Sequence, residues 1–449
     1  MLIRFVVSNF MSFKEETEFN MLPGKGKGYK QHKNHIKTTE SGVDVLKTAV
    51  VYGANASGKS NFVSAIEYVR NIITGYESGE ESLVPLSKRF RLNDSYKSKP
   101  TTFRLEYEFG GVHFDYGVEI KNGEIKEEWL YKIESINKQK EVLLFSRKEN
   151  EIVFGDYYSK IDVSFVEVFI KKKLEGNVSG IEMVHGNIDD DELIDLFYES
   201  MRTLIVLTPT MYNSTYTSSV LKREESKDYV EEILRKSNTG ISELVIKDIP
   251  IDTFFSYEDE DYKSYLVGEL EDEIKNSQDS DDFSLSFAGN KGYNVLRKLN
   301  GEYFVSVLKT KHQNSDNLFD FHEESDGTNR LFQLLPAFQS LNGFENIVYV
   351  IDELERSMHP ILAKELLRLY VNNSNSKSQL IFTTHESHLL DFDLLRQDEI
   401  WFAEKKIDGS SIFYPLSDYK PREDKNIRLG YLEGRYGGIP FLGDFSKLK

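Results

Sequence analysis

The stretch Val50-Val51-Tyr52-Gly53-Ala54-Asn55-Ala56-Ser57-Gly58-Lys59-Ser60-Asn61 decides how this chain is read. From Gly53 to Ser60 it fits Gly-x-x-x-x-Gly-Lys-Ser/Thr. Before it, Leu46 to Tyr52 is a short apolar, β-branched run that reads as a buried strand. After it, Phe62, Ala65, Ile66, Val69 and Ile73 recur at helical spacing. A strand, a glycine loop and a helix start turn several backbone N–H groups and the positive end of a helix onto one anion. Gly53 and Gly58 are expected to let the backbone approach phosphates with no Cβ in the way. Lys59 is expected on the β/γ-phosphates, and the Ser60 hydroxyl on Mg²⁺. The reading is a nucleoside triphosphate site with Mg²⁺, built from Gly53, Asn55, Ser57, Gly58, Lys59, Ser60 and Asn61.

A second apolar run, Phe344 to Ile351, ends in Asp352-Glu353. A strand apolar on both faces belongs inside a parallel sheet, and ligands in such sheets sit at the carboxyl ends of the strands. Asp352 then suits the Mg²⁺ shell, and Glu353 is placed to orient or deprotonate an attacking water. A further buried strand, Gln379 to Thr384, leads to His385. His385 is placed to donate to a γ-phosphate or to the water; a capping role and a zinc ligand are the other readings. His385-Glu386-Ser387-His388 is one residue short of His-Glu-x-x-His, and with no cysteine and no third ligand in view zinc is disfavoured. Upstream, Glu324-Ser325-Asp326-Gly327-Thr328 opens a helical pattern of Leu331, Leu334, Leu335 and Phe338, with Ser325 as N-cap and Gly327 as open backbone.

The order of strands, phosphate loop, long insert, Ser-x-Gly helix start, strand-Asp-Glu and strand-Thr-His resembles the ATP-binding-cassette ATPases of the SMC, RecF and OLD families. Three stretches are similar to a closer group, the stand-alone bacterial anti-phage ATPases of the RloA, AbiL and PARIS type. They are Asn9-Phe10-Met11-Ser12-Phe13, Leu354-Glu355-Arg356-Ser357-Met358-His359-Pro360 and Tyr431-Leu432-Glu433-Gly434-Arg435-Tyr436-Gly437-Gly438-Ile439-Pro440. The resemblance covers roughly residues 1–130 and 300–445. It implies an ATPase acting as sensor or switch in phage defence. Ser325 and Gly327 would contact the γ-phosphate bound on a second subunit, Glu353 would be the catalytic glutamate and His385 the switch histidine. It further implies a homodimer or higher oligomer with composite sites, a DNA or phage-protein trigger, and a separate effector, a TOPRIM or RloB-like nuclease. Asp391-Phe392-Asp393 resembles the Asp-x-Asp of a TOPRIM nuclease, but the 56 residues after Asp393 are too few for that domain, so the effector is expected to be encoded elsewhere. Two departures stand out: the signature reads Ser-Asp-Gly, and no glutamine lies between Gln31 and Gln139 to serve as a Q-loop. Glu128 is a stand-in as metal-shell oxygen, or a plain surface acid. The alternative function is a DNA-repair or recombination ATPase that clamps DNA when ATP drives dimerisation.

The chain has 449 residues, room for two or three lobes. It has no apolar run approaching a membrane span. It has no cysteine, which excludes disulfides and thiolate metal sites, and a cytoplasmic location is the simplest expectation. Net charge is −18, and Glu258 to Asp282, with eleven carboxylates against two lysines, carries half of it. That window reads as a solvated loop or helix face, with an acidic docking surface as the alternative. An acidic chain should not coat nucleic acid non-specifically. The local basic runs Lys25 to Lys33 and Lys171 to Lys173 are phosphate contacts or ordinary loops.

The expected fold is α/β: a P-loop cassette with a mixed or parallel core sheet, a flanking antiparallel sheet and an inserted, mainly helical lobe. Residues 1–149 form the N-terminal ATPase lobe, with a hairpin turning at Gly110-Gly111. Residues 150–310 form the insert, with helices over Asp191 to Leu204 and Ser226 to Lys236 (Ser226 as N-cap) and no heptads sustained enough for a coiled coil. Residues 311–449 close the cassette, with two strands around Asp408-Gly409.

Overall fold

The computed structural model describes the chain apart from residues 26–28, 30, 76–82, 136–139, 160–176, 186–191, 210–216, 218, 222, 256–259, 277–283, 290–291, 340–345, 374–375, 422–425 and 441–449. The run Lys171 to Lys173, residues 26–28 and 30 of the run Lys25 to Lys33, and both ends of the acidic window therefore lie outside the described residues. The chain divides into two compact units. One comprises Met1–Val206, Ser340–Glu355 and Lys364–Lys449; the other comprises Leu207–Gln339 and Arg356–Ala363.

The first unit holds two large sheets. Strands β1 (Leu2–Ser8), β2 (Thr17–Asn20), β6 (Thr101–Phe109), β7 (Val112–Lys121), β8 (Glu124–Ser135), β9 (Lys140–Lys148) and β10 (Glu151–Phe154) form an antiparallel sheet in the order β10-β9-β8-β7-β6-β1-β2, while β3 (Ile36–Thr38) and β4 (Asp44–Leu46) make a separate antiparallel pair. The β6–β7 turn is the expected Gly110-Gly111, with φ of 57° and 78°, the paired left-handed residues a tight hairpin requires. Strands β11 (Leu204–Leu207), β17 (Val348–Ile351), β18 (Gln379–Thr384), β5 (Thr48–Gly53), β19 (Ile400–Lys405) and β20 (Ser411–Pro415) form the second sheet, in the order β11-β17-β18-β5-β19-β20. It is parallel from β17 through β19, and β20 closes it antiparallel. Every residue of β5, β17 and β18 is buried, the polar Thr48, Gln379, Thr383 and Thr384 included, which explains why these strands read as buried and mostly apolar. Helix α1 (Lys59–Ile73) binds the sheets together. Its Phe62 meets Phe5 and Phe19 of one sheet at 6.0 and 4.9 Å between ring centres, and Phe413 of the other at 5.0 Å.

The expected insert begins inside this unit. Strand β10 pairs with β9, and the helix Glu192–Arg202 seats Phe197 on Phe114 and Tyr116 of the antiparallel sheet. The expected helix is thus present from Glu192, Asp191 lying outside the described residues, and gives way to β11 at Leu204.

The second unit departs from the mainly helical expectation. Strands β12 (Ile241–Pro250), β13 (Ser284–Gly289), β14 (Gly292–Leu299), β15 (Glu302–His312) and β16 (Leu318–Asp320) make a five-stranded antiparallel sheet, ordered β12-β15-β14-β13 with β16 on β15. Its longest pairing joins Ile241 to His312 and Pro250 to Phe304, segments too far apart in sequence for a hairpin signal to reveal them. Against it pack Ile251, Phe255 and, from the helix Glu260–Asn276, Leu266 and Leu270, which meet Phe287, Leu296, Val305 and Val307. That helix is the described part of the acidic window: it turns its leucines inward and most of its acids to solvent, while Glu271 holds Lys298 and Tyr303. Ser226 is not an N-cap. The helix runs Glu224–Lys236, opening with two acids at its positive end, and Ser226 is buried within it, its hydroxyl accepting from Gln339 Nε2 at 3.1 Å.

Candidate functional site

Strand β5 ends at Gly53, and the chain then turns with the Ser57 N–H donating to the Ala54 carbonyl at 3.2 Å. Ala56 and Gly58 take φ of 63° and 111°, which lets successive backbone N–H groups face one way before α1 begins at Lys59. The first amides of a helix have no partner within it, so the loop and helix start together form an anion cradle. The two glycines are also required by the packing of the chain itself. A Cβ on Gly53 would lie 2.4 Å from the Ala403 carbonyl, and one on Gly58 would lie 2.3 Å from the Ser411 hydroxyl and 2.9 Å from that of Ser12. The chain itself takes the space beside both. Ser12, Asn61 and Ser411 form a hydroxyl–amide cluster there (2.7 and 2.8 Å), which ties the Asn9–Phe13 motif to the phosphate loop.

Lys59 is buried, and its ammonium donates to the Gly53 and Ala54 carbonyls at 2.8 and 3.0 Å. Burial pushes its pKa down to about 8, against the opposing pull of Asp352, Glu353 and Glu355. It also donates to His385 Nδ1 at 3.3 Å, so the ring's proton sits on Nε2, which faces Glu353 Oε1 at 3.6 Å.

On the acid side, Thr383 bonds two neighbours at once: its hydroxyl donates to Asp352 Oδ1 at 2.5 Å and accepts the Glu353 N–H at 2.8 Å. Glu353 follows the strand with φ of 49°, a left-handed conformation costly for a non-glycine residue and typical of functional turns. Glu355 accepts the His385 backbone N–H at 2.7 Å. The Tyr52 hydroxyl, fully buried, has no hydrogen-bond partner among the described residues and is pushed well up by burial and by Glu355.

Lys59, Asp352, Glu353 and His385 are therefore gathered at the carboxyl ends of β5, β17 and β18. A cation desolvated among carbonyls, a clamped buried carboxylate and an exposed hydroxyl at Ser60 together fit a nucleotide phosphate chain with Mg²⁺. Ser60 and Asp352 would hold the metal.

Ser325 and Gly327 lie in the second unit. Ser325 caps the helix Asp326–Gln339 as expected: its hydroxyl accepts the Thr328 N–H at 3.2 Å and remains exposed. Gly327 is closely hemmed, because a Cβ there would meet the Ser357 carbonyl oxygen at 2.6 Å. Glu128 is neither a metal-shell oxygen nor a surface acid. It is buried on β8, accepts from Tyr116, Ser179 and the Gly180 N–H at 2.7–2.9 Å, and faces buried Arg147 at 3.7 Å. His385 and His388 look to different partners, Lys59 and Glu353 for one, Glu386 and Arg428 for the other. Among the described residues no group of three or more His, Asp or Glu is arranged for a metal ion. Asp391 pairs with Lys364 at 2.7 Å. Thr383, Glu355 and Ser12 are the site residues that motif spacing missed; only the two threonines closing β18 hinted at polar work at that strand end.

A phosphate loop at the carboxyl end of a parallel strand, within this α/β fold, is the arrangement of a P-loop AAA domain. The chain belongs to the family described as "AAA domain, putative AbiEii toxin, Type IV TA system", whose model matches residues 49–158 and 219–391. Similar solved structures include an Smc head bound to the C-winged helix domain of ScpA (13% identity, 93% of this chain and 99% of that one, TM-score 0.39). Others are the SMC head domain from Thermotoga maritima (11%, 92% and 98%, TM-score 0.36) and an Smc head with an extended coiled coil bound to the C-terminal domain of ScpA derived from Pyrococcus furiosus (13%, 97% and 99%, TM-score 0.38). No curated protein matches the sequence. Among the described residues no helix is long and apolar enough to cross a membrane.

Proposed function

We propose that this chain hydrolyses ATP to ADP and phosphate, and that it uses the cycle as the switch subunit of an anti-phage defence system with a separately encoded effector, a nuclease. The convergence of Lys59, Asp352, Glu353 and His385 at one sheet end carries the first half of this reading. Lys59 binds the β/γ-phosphates and trades loop carbonyls for an anion. Asp352 is held by Thr383 with its oxygen fixed, and Ser60 supplies a hydroxyl beside the first turn of α1. Mg²⁺ bound by these two would neutralise phosphate charge. Glu353 takes the proton of the attacking water, and His385, with Nε2–H toward Glu353, orients that carboxylate. Ser325 and Gly327 serve the site of a second copy, so that two chains close over two nucleotides.

The defence half rests on the resemblance carried by Asn9–Phe13, Leu354–Pro360 and Tyr431–Pro440, and on the family description, which prints a putative toxin of a type IV TA system. Turnover by the wild-type chain, lost in folded Lys59→Ala, tests the first half. Co-purification with the product of an adjacent nuclease gene tests the second. Salt-sensitive, ATP-dependent DNA binding by the isolated chain, without such a partner, would favour a DNA clamp instead.

A further inference from the structure

The loop that carries His385 has little regular structure of its own. His385 is exposed, and after β18 the chain makes only the short turn Ser387–Leu389. Side chains hold it. The Glu386 N–H rests on the Thr384 hydroxyl at 2.9 Å, and the Glu386 carboxylate accepts the His388 N–H at 2.9 Å and bonds the His388 ring through Nδ1. His388 Nε2 meets Arg428 Nη2 at 2.6 Å, and Arg428 Nε reaches the Ser387 hydroxyl at 3.3 Å. Arginine only donates, so His388 Nε2 accepts and Nδ1 carries the proton toward Glu386. Burial alone would raise the Glu386 carboxyl; the two His388 bonds and the Arg428 charge more than offset this and hold it below its ordinary value.

Arg428 comes from the far C-terminal segment. The helix Ile427–Leu432 is capped by Asn426, whose side chain accepts the Leu429 N–H at 2.9 Å. On its inner side, Tyr431 packs on Phe402 at 5.6 Å and on Tyr52, the residue before Gly53, at 5.8 Å. The turn that follows folds back, with the Tyr431 hydroxyl donating to the Gly438 carbonyl at 3.2 Å and Tyr436 stacking on Phe402 at 6.2 Å. Gly434, Gly437 and Gly438 have φ of 76°, 68° and 67°, so the Gly-Arg-Tyr-Gly-Gly spelling is the conformational requirement of this return.

We propose that Asn426–Gly438 is a strap that fixes the switch-histidine loop relative to the phosphate loop, with Arg428 as the positioning residue through which the strap sets turnover. One helix grips both ends of the site, Tyr431 at the start of the phosphate loop and Arg428 at the residues after His385. A forked guanidinium can bond Ser387 and His388 together, which a lysine cannot do in the same geometry. A partner or neighbouring segment that drew the strap away would release His385 without touching Lys59. The inference rests on His385 belonging to the nucleotide site.

The test compares Arg428→Ala, Arg428→Lys, Leu429→Ala (an exposed position on the same helix) and His385→Ala in the full chain. Arg428→Ala is expected to bind Mg-ATP within about two-fold of wild type, with kcat lowered about ten-fold or more and KM unchanged. Arg428→Lys should recover part of the loss, and Leu429→Ala should match wild type. Histidine-labelled carbon–proton spectra give a second readout, independent of turnover. The His385 ring signal, assigned from the His385→Ala spectrum, should shift in Arg428→Ala and lose its wild-type response to Mg-ATP. If His385→Ala lowers kcat while Arg428→Ala does not, the strap proposal is overturned and the site reading stands. If His385→Ala leaves kcat unchanged, the site reading fails. Where the isolated chain turns over too slowly to measure, an unmoved His385 signal in Arg428→Ala overturns the strap.

Discussion

The buried ammonium of Lys59 makes nucleotide affinity depend on pH in a window set by the structure. Without nucleotide, burial holds Lys59 at about 8 rather than 10.5. Because the folded value lies below the unfolded one, the buried charge costs the nucleotide-free protein about 3 kcal/mol below pH 8, a cost that fades as pH rises toward 10.5. Phosphate oxygens replacing the Gly53 and Ala54 carbonyls would supply the missing countercharge and restore the lysine to its ordinary range. Binding then takes up a proton above pH 8. At pH 7 about nine-tenths of free sites carry the charge, and at pH 9.5 about 3% do, so Kd should rise about 30-fold between them, about 2 kcal/mol. Mg-ATP titrations at constant ionic strength, read by calorimetry from pH 7 to 9.5, measure this directly; the ATP phosphates are already fully ionised over the upper part of that range. Lys59→Arg, whose guanidinium does not titrate there, should bind more weakly but with a flat profile. A wild-type Kd that stays within about three-fold up to pH 9.5 would show that Lys59 does not face the phosphates through a desolvated ammonium.

Four further outcomes follow from named contacts. Glu353→Gln keeps Lys59, Ser60 and Asp352, so it should bind nucleotide, hydrolyse at least about 100-fold more slowly and accumulate an ATP-bound dimer on size exclusion; wild-type turnover would move the base elsewhere. Thr383→Val removes the hydroxyl that holds Asp352 and the Glu353 N–H, and should raise the half-saturating Mg²⁺ concentration and destabilise the chain by about 1–3 kcal/mol. An unchanged Mg²⁺ dependence would remove Thr383 from the site. Sharing between subunits is better tested at Ser325 than at Gly327, where any side chain strikes the Ser357 carbonyl of its own chain. Mixing Ser325→Ala with Lys59→Ala should restore part of the turnover each lacks, and confirmed heterodimers without recovery would refute a composite site. Glu128→Ala removes the carboxylate that faces buried Arg147 and should cost about 3–5 kcal/mol by denaturant unfolding while Mg-ATP affinity is unchanged; lost affinity with intact stability would return Glu128 to the metal shell.

The phosphate loop, the Asp352-Glu353 strand, the β6–β7 hairpin and the Ser325 cap were all legible in the sequence, because each is encoded within a dozen contiguous residues. A strand buried on both faces must be apolar throughout, a tight hairpin must carry left-handed residues, and a helix start must offer an oxygen to its free amides. Contacts between distant segments left no such local mark. Nothing in Gly53 and Gly58 announces that Ala403, Ser411 and Ser12 occupy the space beside them, so their glycines read as room for a ligand. Glu128 stands in an alternating strand like any surface acid, and only the arrival of Arg147, Ser179 and Gly180 buries it. The β12–β15 pairing joins segments more than 50 residues apart, too far for periodicity in either one to predict the other. The meeting of Lys59, His385, Glu353 and Thr383, and the grip of Arg428 on the loop beside them, were decided by tertiary structure alone: parallel strands far apart in the chain end at one edge of a sheet, and the order in which they lie side by side is a property of the packed core, which no single segment specifies.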